Sequence, residues 1–250
     1  MSELGGNKNY QAMEQNYEFL ESDLKYLGFD SNMNAELKEM LGTEADSFEL
    51  SYKATVQNAP VSAVLFFRRP DPEGYFFFSG YKLTVEDRQH TFHIFKGRGI
   101  TVKEGFNLLH GRAVFKQRKA NNGQTYNEWL ELDLSVKEEN GFKPVVYPES
   151  YGYDVSPLID PMLIDTPSPN WDRSMLIRSL EKGNLQVAFI KQEGTHRKVN
   201  IQANPRERTI TVHEIESLFP VPLESKTNDD IERVLGNGRS RAKKLKDITR

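Results

Sequence analysis

Cysteine is absent from the 250 residues, so the chain has no disulfide and no thiolate metal ligand, and a reducing compartment is the expected setting. Long apolar runs are missing too. A membrane-spanning helix needs about 18 or more apolar residues in succession, and the richest apolar stretch, Val61 to Val85, is broken by Arg68-Arg69-Pro70-Asp71-Pro72-Glu73-Gly74. The first residues, MSELGGNKNYQAMEQNYEF, carry neither the basic nor the apolar segment of a secretory signal. No membrane partner and a cytoplasmic location are the resulting expectations. Histidine is scarce: His90 and His93, two of only five, fall on opposite sides of a strand-like segment, so no metal site is expected. Neither a Gly-x-Ser-x-Gly elbow nor a His-Glu-x-x-His string is present. No catalytic residue and no cofactor is assigned.

What the chain does have is an uneven charge. Its formal net charge is −3, but from Arg233 onward seven positive residues stand against Asp247 alone, a sum of +6 that leaves the first 232 residues at −9. An acidic body therefore ends in a basic tail. Arg239, Arg241, Lys243, Lys244 and Lys246 form its densest part, suited to tracking phosphates of DNA or RNA by counterion release or to docking on an acidic protein.

Along the body the hydrophobic period changes. Tyr17, Leu20, Leu24 and Leu27 follow helical 3, 4, 3 spacing and Gly28 stops the helix, with a second helix expected from Met33 to Leu41 under an Asn34 cap. From Phe48 the period becomes 2, and strands are expected at Phe48–Val56, Val61–Arg68, Tyr75–Val85 and Thr91–Phe95, with a turn at Asn58-Ala59-Pro60. Connections this short make an antiparallel meander. Its aromatics, Phe66, Phe67 and Tyr75 to Phe78, beside Arg68, Arg69 and Lys82, allow either a stacking platform for single-stranded nucleic acid or cover by the N-terminal helices. The amphipathic stripe of Tyr17 to Leu27 favours cover.

Two further stretches share one pattern. Ile100–His110 reads as a helix with a Thr101/Glu104 capping box, closes at Gly111, and leads into strands at Arg112–Gln117, Tyr126–Val136 and Lys143–Tyr147. Met175–Lys182, capped by Asp172 or Ser174, closes at Gly183 and leads into Leu185–Lys191, Lys198–Gln202 and Thr209–His213. The recurrence suggests a duplication. Glu131 and Asp133 alternate with Leu130, Leu132 and Leu134, which assigns them to a solvated face. The four prolines of 157–169 read as a linker. Fold class is thus α+β: N-terminal helices on an antiparallel sheet, then two helix-plus-three-strand units and a basic tail. The boundaries are 1–156, linker 157–169, 170–224 and tail 225–250.

A weaker candidate precedes the Ile100–His110 helix. Lys96-Gly97-Arg98-Gly99 before Thr101 outlines an anion cradle, in which Lys96, Arg98 and the Thr101 N–H would meet a small anion, though the glycine fingerprints of nucleotide loops are incomplete.

The strings LKYLGF (24–29), GRAV (111–114), YNEWLELD (126–133), YGYD (151–154), LEKGN (180–184) and ANP (203–205) resemble, in order, an uncharacterised family of bacterial proteins carried largely on conjugative and other mobile elements. The resemblance spans roughly residues 17–213 and implies a genomic neighbourhood near nucleic-acid-handling modules rather than an activity. The expected function is a non-enzymatic accessory or adaptor protein of a mobile element, contacting nucleic acid or a nucleic-acid-handling partner through Arg239–Lys246. The alternatives are an enzyme or small-anion binder using the Lys96–Thr101 turn, and a purely structural protein–protein interaction module.

Overall fold

A computed structural model describes residues 3–95, 98–120, 122–160, 164–165, 172–192 and 195–215. The chain is a mixed α+β protein whose sheets are antiparallel throughout. Helix α1 (Glu3–Leu27) is followed by a 3-10 turn (Ser31–Met33) and helix α2 (Asn34–Leu41). The first sheet is a meander in the order β1 (Ser47–Val56), β2 (Ala59–Arg68), β3 (Phe77–Val85) and β4 (Arg88–His93). Leu20, Leu24 and Leu27 of α1 and Leu37 of α2 are at most 2% exposed against its inner face. Each leucine buried to that degree contributes about 1.5–3 kcal/mol of apolar transfer free energy.

Helix α3 (Val102–Leu109) leads into a three-stranded sheet, β5 (Val114–Lys119), β6 (Thr125–Glu138) and β7 (Gly141–Pro148). A 3-10 turn (Glu149–Tyr151), the short helix α4 (Ser156–Ile159) and strand β8 (Ile164–Asp165) connect to helix α5 (Arg173–Glu181). The last strands are β9 (Gln186–Gln192), β10 (Thr195–Asn204) and β11 (Thr209–Glu214), in a sheet of order β11-β10-β9-β8. None of the described helices is long and apolar enough to cross a membrane.

The helix-to-sheet pattern recurs in backbone detail. Gly111 and Gly183 adopt φ of 72° and 74°, the left-handed geometry that glycine reaches without a Cβ penalty. Gly111 N bonds Leu108 O and Arg112 N bonds Asn107 O, while Gly183 N bonds Leu180 O and Asn184 N bonds Ser179 O. These are the same pair of closing bonds, 72 residues apart. A third copy ends α1, where Gly28 N bonds Lys25 O and Phe29 N bonds Leu24 O. The two later closures also touch: the Asn107 amide donates to Lys182 O at 2.6 Å and to Asn184 Oδ1 at 3.1 Å.

Several expectations require correction. Asn34 does not cap α2; Met33 occupies that position without a side-chain bond, and the Asn34 amide instead donates to Glu21 on α1. The β1–β2 turn is Gln57-Asn58, both at positive φ, and Pro60 lies within β2. There it pairs only with Thr55 of β1, since the β3 register begins at Val61, so its missing N–H breaks no ladder bond to β3. The stretch 157–169 is not wholly linker. Pro157 occupies the first turn of α4, where no N–H partner is lost, and β8 adds a fourth, edge strand beside β9. The face of β6 that carries Trp129 and Glu131 is not solvated, because the last unit covers it: Trp129 is 4% exposed and Arg206 reaches Glu131.

Candidate nucleic-acid interface

Strict alternation in the first sheet gives it two faces. Leu50, Leu65, Tyr81, Leu83 and Phe92 point at the helices and are buried. Helix α3 also packs there, with Gly105 so close that a Cβ would lie 2.9 Å from the Phe92 ring and 3.0 Å from Leu83. The opposite face therefore has none of these helices over it. It carries Glu49 and Lys53 from β1, Val64, Phe66 and Arg68 from β2, Phe77 and Lys82 from β3, and Thr91 and His93 from β4.

Register arranges these residues in rows across the strands. Arg68 pairs with Phe77, and Val64 pairs with Lys82, which pairs with Thr91. In the row Glu49, Phe66, Gly80, His93, glycine leaves bare backbone between two rings. A Cβ at Gly80 would come within 2.6 Å of Phe92 O, so the gap is built into the strand pairing. Phe77 is 46% exposed, Phe66 and Lys82 are half-buried, and Lys53, Arg68 and His93 are exposed. On these rows three cations, Lys53, Arg68 and Lys82, stand against Glu49, while Lys82 also borders a cleft that holds Asp87, Glu138 and Glu139. Exposed rings interleaved with Lys and Arg are the combination that stacks bases and neutralises phosphates.

The expected site residues fare unevenly. Arg239, Arg241, Lys243, Lys244, Lys246 and Lys96 lie outside the described residues. Arg98 is exposed in a tight turn whose two backbone bonds join Phe95 and Arg98. Thr101 caps α3 in a full capping box: its N–H donates to Glu104 Oε2 at 2.8 Å, and its Oγ1 accepts from Glu104 N. That N–H is already occupied by the helix's own carboxylate, which Lys116 also holds at 2.9 Å. The structure thus gives Arg98 and Thr101 no shared free donor set. Solvent-reaching rings and helical cover both exist, on opposite faces. The signal for this was the alternation itself, since a helical stripe can cover only one side of a four-stranded sheet.

His90 and His93 face opposite ways, as their spacing requires. His90 is 8% exposed, and its Nδ1 accepts from Phe142 N at 3.1 Å, tying β4 to the β6–β7 hairpin. Burial, with a smaller push from His93, lowers its pKa to about 4. Among the described residues no cluster of three or more His, Asp or Glu is arranged to hold a metal ion. No family model, no curated protein and no solved structure matches this chain.

Proposed function

We propose that the protein is a non-enzymatic accessory or adaptor protein of a mobile element that holds single-stranded nucleic acid on the open face of its first sheet. The observation that carries this reading is the positive, ring-bearing face formed by Phe66, Phe77, Arg68, Lys53 and Lys82 on an otherwise acidic body. Bases would stack on Phe66 and Phe77 while the cations track the backbone, and the basic segment Arg239–Lys246 would add sequence-independent phosphate contacts. Single strands suit the face better than duplex, because stacking on an exposed ring needs an unpaired base.

The test is anisotropy of labelled single- and double-stranded DNA and RNA oligonucleotides across a salt series. Single strands should bind more tightly than duplexes of the same sequence. Phe66→Ala with Phe77→Ala should weaken single-strand binding by about tenfold or more, since each stacked base is worth roughly 1–3 kcal/mol. Equal affinity in the double variant would end this reading of the sheet.

A further inference from the structure

A second surface of opposite charge lies where the two later units meet. There a cleft of about 330 Å³ is walled by Phe115 of β5, Trp129 of β6, Tyr147 of β7 and Tyr153 from the segment before α4. Trp129 packs edge-on to both neighbours, its ring centroid 5.1 Å from Tyr153 and 5.5 Å from Phe115. The volume falls within the range of small-ligand sites and accommodates one long side chain.

The charged residues that line the cleft are carboxylates, with Arg118, Arg178 and Arg206 at its margins. Glu128, Glu149, Asp154 and Glu181 line the cleft, and among the described residues no lysine or arginine does. Glu128 is paired with Arg118 at 2.9 Å. The other three form no ion pair with a described cation. Among the described residues Asp154 accepts only the Ser156 N–H, at 2.8 Å. Glu181 is half-buried; desolvation raises its pKa and Asp154 raises it further, with Arg178 opposing. A cation in the cleft would relieve both burdens.

The same wall already shows how it treats cations. One step away, the turn between β10 and β11 sends Arg206 onto Glu131, to which the Tyr147 hydroxyl also donates at 3.3 Å. The Arg208 guanidinium lies 4.1 Å from the centroid of the Tyr151 ring. Two aromatic and carboxylate positions are thus filled by the protein's own arginines. The cleft repeats the composition, with about 330 Å³ of space and no described cation in it.

We propose that this cleft receives a lysine or arginine side chain from an exposed basic segment of a protein partner. The cation would face Trp129 and Tyr153 and be held at the rim by Asp154 and Glu181, since a guanidinium or ammonium is attracted to a ring face and gains most where water is excluded. Three carboxylates without an ion pair to a described cation, Glu149, Asp154 and Glu181, repel phosphate, so the occupant is a basic protein segment and not the nucleic acid assigned to the first sheet. An adaptor would then engage an anion on its first sheet and a cationic partner in the cleft between its second sheet, the segment before α4 and α5.

Trp129 and Trp171 are the two tryptophans, so Trp171→Phe in the full chain leaves Trp129 as sole reporter. Titrating a blocked tetra-arginine peptide should change its emission saturably, and the uncharged citrulline counterpart should not. Asp154→Asn with Glu181→Gln keeps shape and removes charge, and should weaken the response about tenfold. No emission change, or an equal response from the citrulline peptide or the double variant, would overturn the proposal. A third arm replaces Arg239, Arg241, Lys243, Lys244 and Lys246 by Gln in the full chain. Binding seen only there would mean that the chain's own tail takes the cleft, which also overturns the assignment to a partner.

Discussion

The two faces of the first sheet are built by the same four strands in the same register, yet they end in different environments. On one, Leu50, Leu65, Leu83 and Phe92 are no more than 5% exposed beneath three helices; on the other, Phe77 is 46% exposed beside Arg68. Each face carries aromatic rings, so hydrophobicity of single residues does not distinguish them. What distinguishes them is the neighbour in each row. Inner rows are apolar across β1 to β3 and admit a polar residue only at β4, where His90 and Arg88 end two of them, whereas outer rows interrupt Val64, Phe66 and Phe77 with Lys82, Gly80 and Arg68. A ring set among cations contributes little to folding.

The sharpest way to break this comparison is to truncate one residue on each face and measure urea unfolding. Leu83 is fully buried and in reach of Gly105 on α3, so Leu83→Ala should cost about 2–5 kcal/mol through lost transfer and a residual cavity. Phe77→Ala should stay within roughly 1 kcal/mol while weakening nucleic-acid binding. Equal losses of stability would mean that the outer face is structural.

His90 offers the next largest effect, again on the inner face. Its folded pKa of about 4 is below the ordinary value of 6.5, so the folded state binds the proton less readily than the unfolded chain. Stability is therefore fully present above pH 6.5 and lost as pH falls from 6.5 toward 4, by roughly 1–3 kcal/mol. The physical reason is burial of the ring, with a smaller push from His93, and protonation would also forfeit the Nδ1 acceptor for Phe142 N. Comparing the wild type with His90→Gln by thermal unfolding between pH 7 and 4 should show a smaller decline in the variant. Parallel curves would remove His90 as the cause.

Much of the architecture was legible because local signals and tertiary packing agreed. The 3, 4, 3 leucine spacing of α1, the Thr101/Glu104 box and the stops at Gly28, Gly111 and Gly183 all name their own geometry. Helical and strand periods needed no long-range information. The errors came where a second layer intervened. Glu131 alternates with leucines as a solvated residue would, but Arg206, 75 positions later, supplies the partner that makes its burial affordable. Strand β8 is set by pairing with β9, which its two residues cannot announce. For the candidate sites the limit was of the same kind. Phe66, Arg68 and Lys82 were visible as a group, but which face the helices would cover depended on packing. The cleft joins Trp129 to Glu181 across 52 positions, and neither residue marks the other in sequence.

The smallest effect sharpens the comparison most directly, because it separates charge on the open face from charge elsewhere. Arg68 and Lys82 flank the exposed rings, whereas Lys25 is exposed on α1, on the helical side of the sheet. A cation that neutralises one phosphate of a single strand contributes about 0.7 to the slope of log affinity against log salt. Arg68→Ala and Lys82→Ala should each flatten that slope by about this amount, with stability changed by no more than ~0.5 kcal/mol. Lys25→Ala should leave the slope as it was. Had net charge alone attracted the strand, all three would flatten it alike; a difference between Lys82 and Lys25 locates the phosphates on the face where the rings stand.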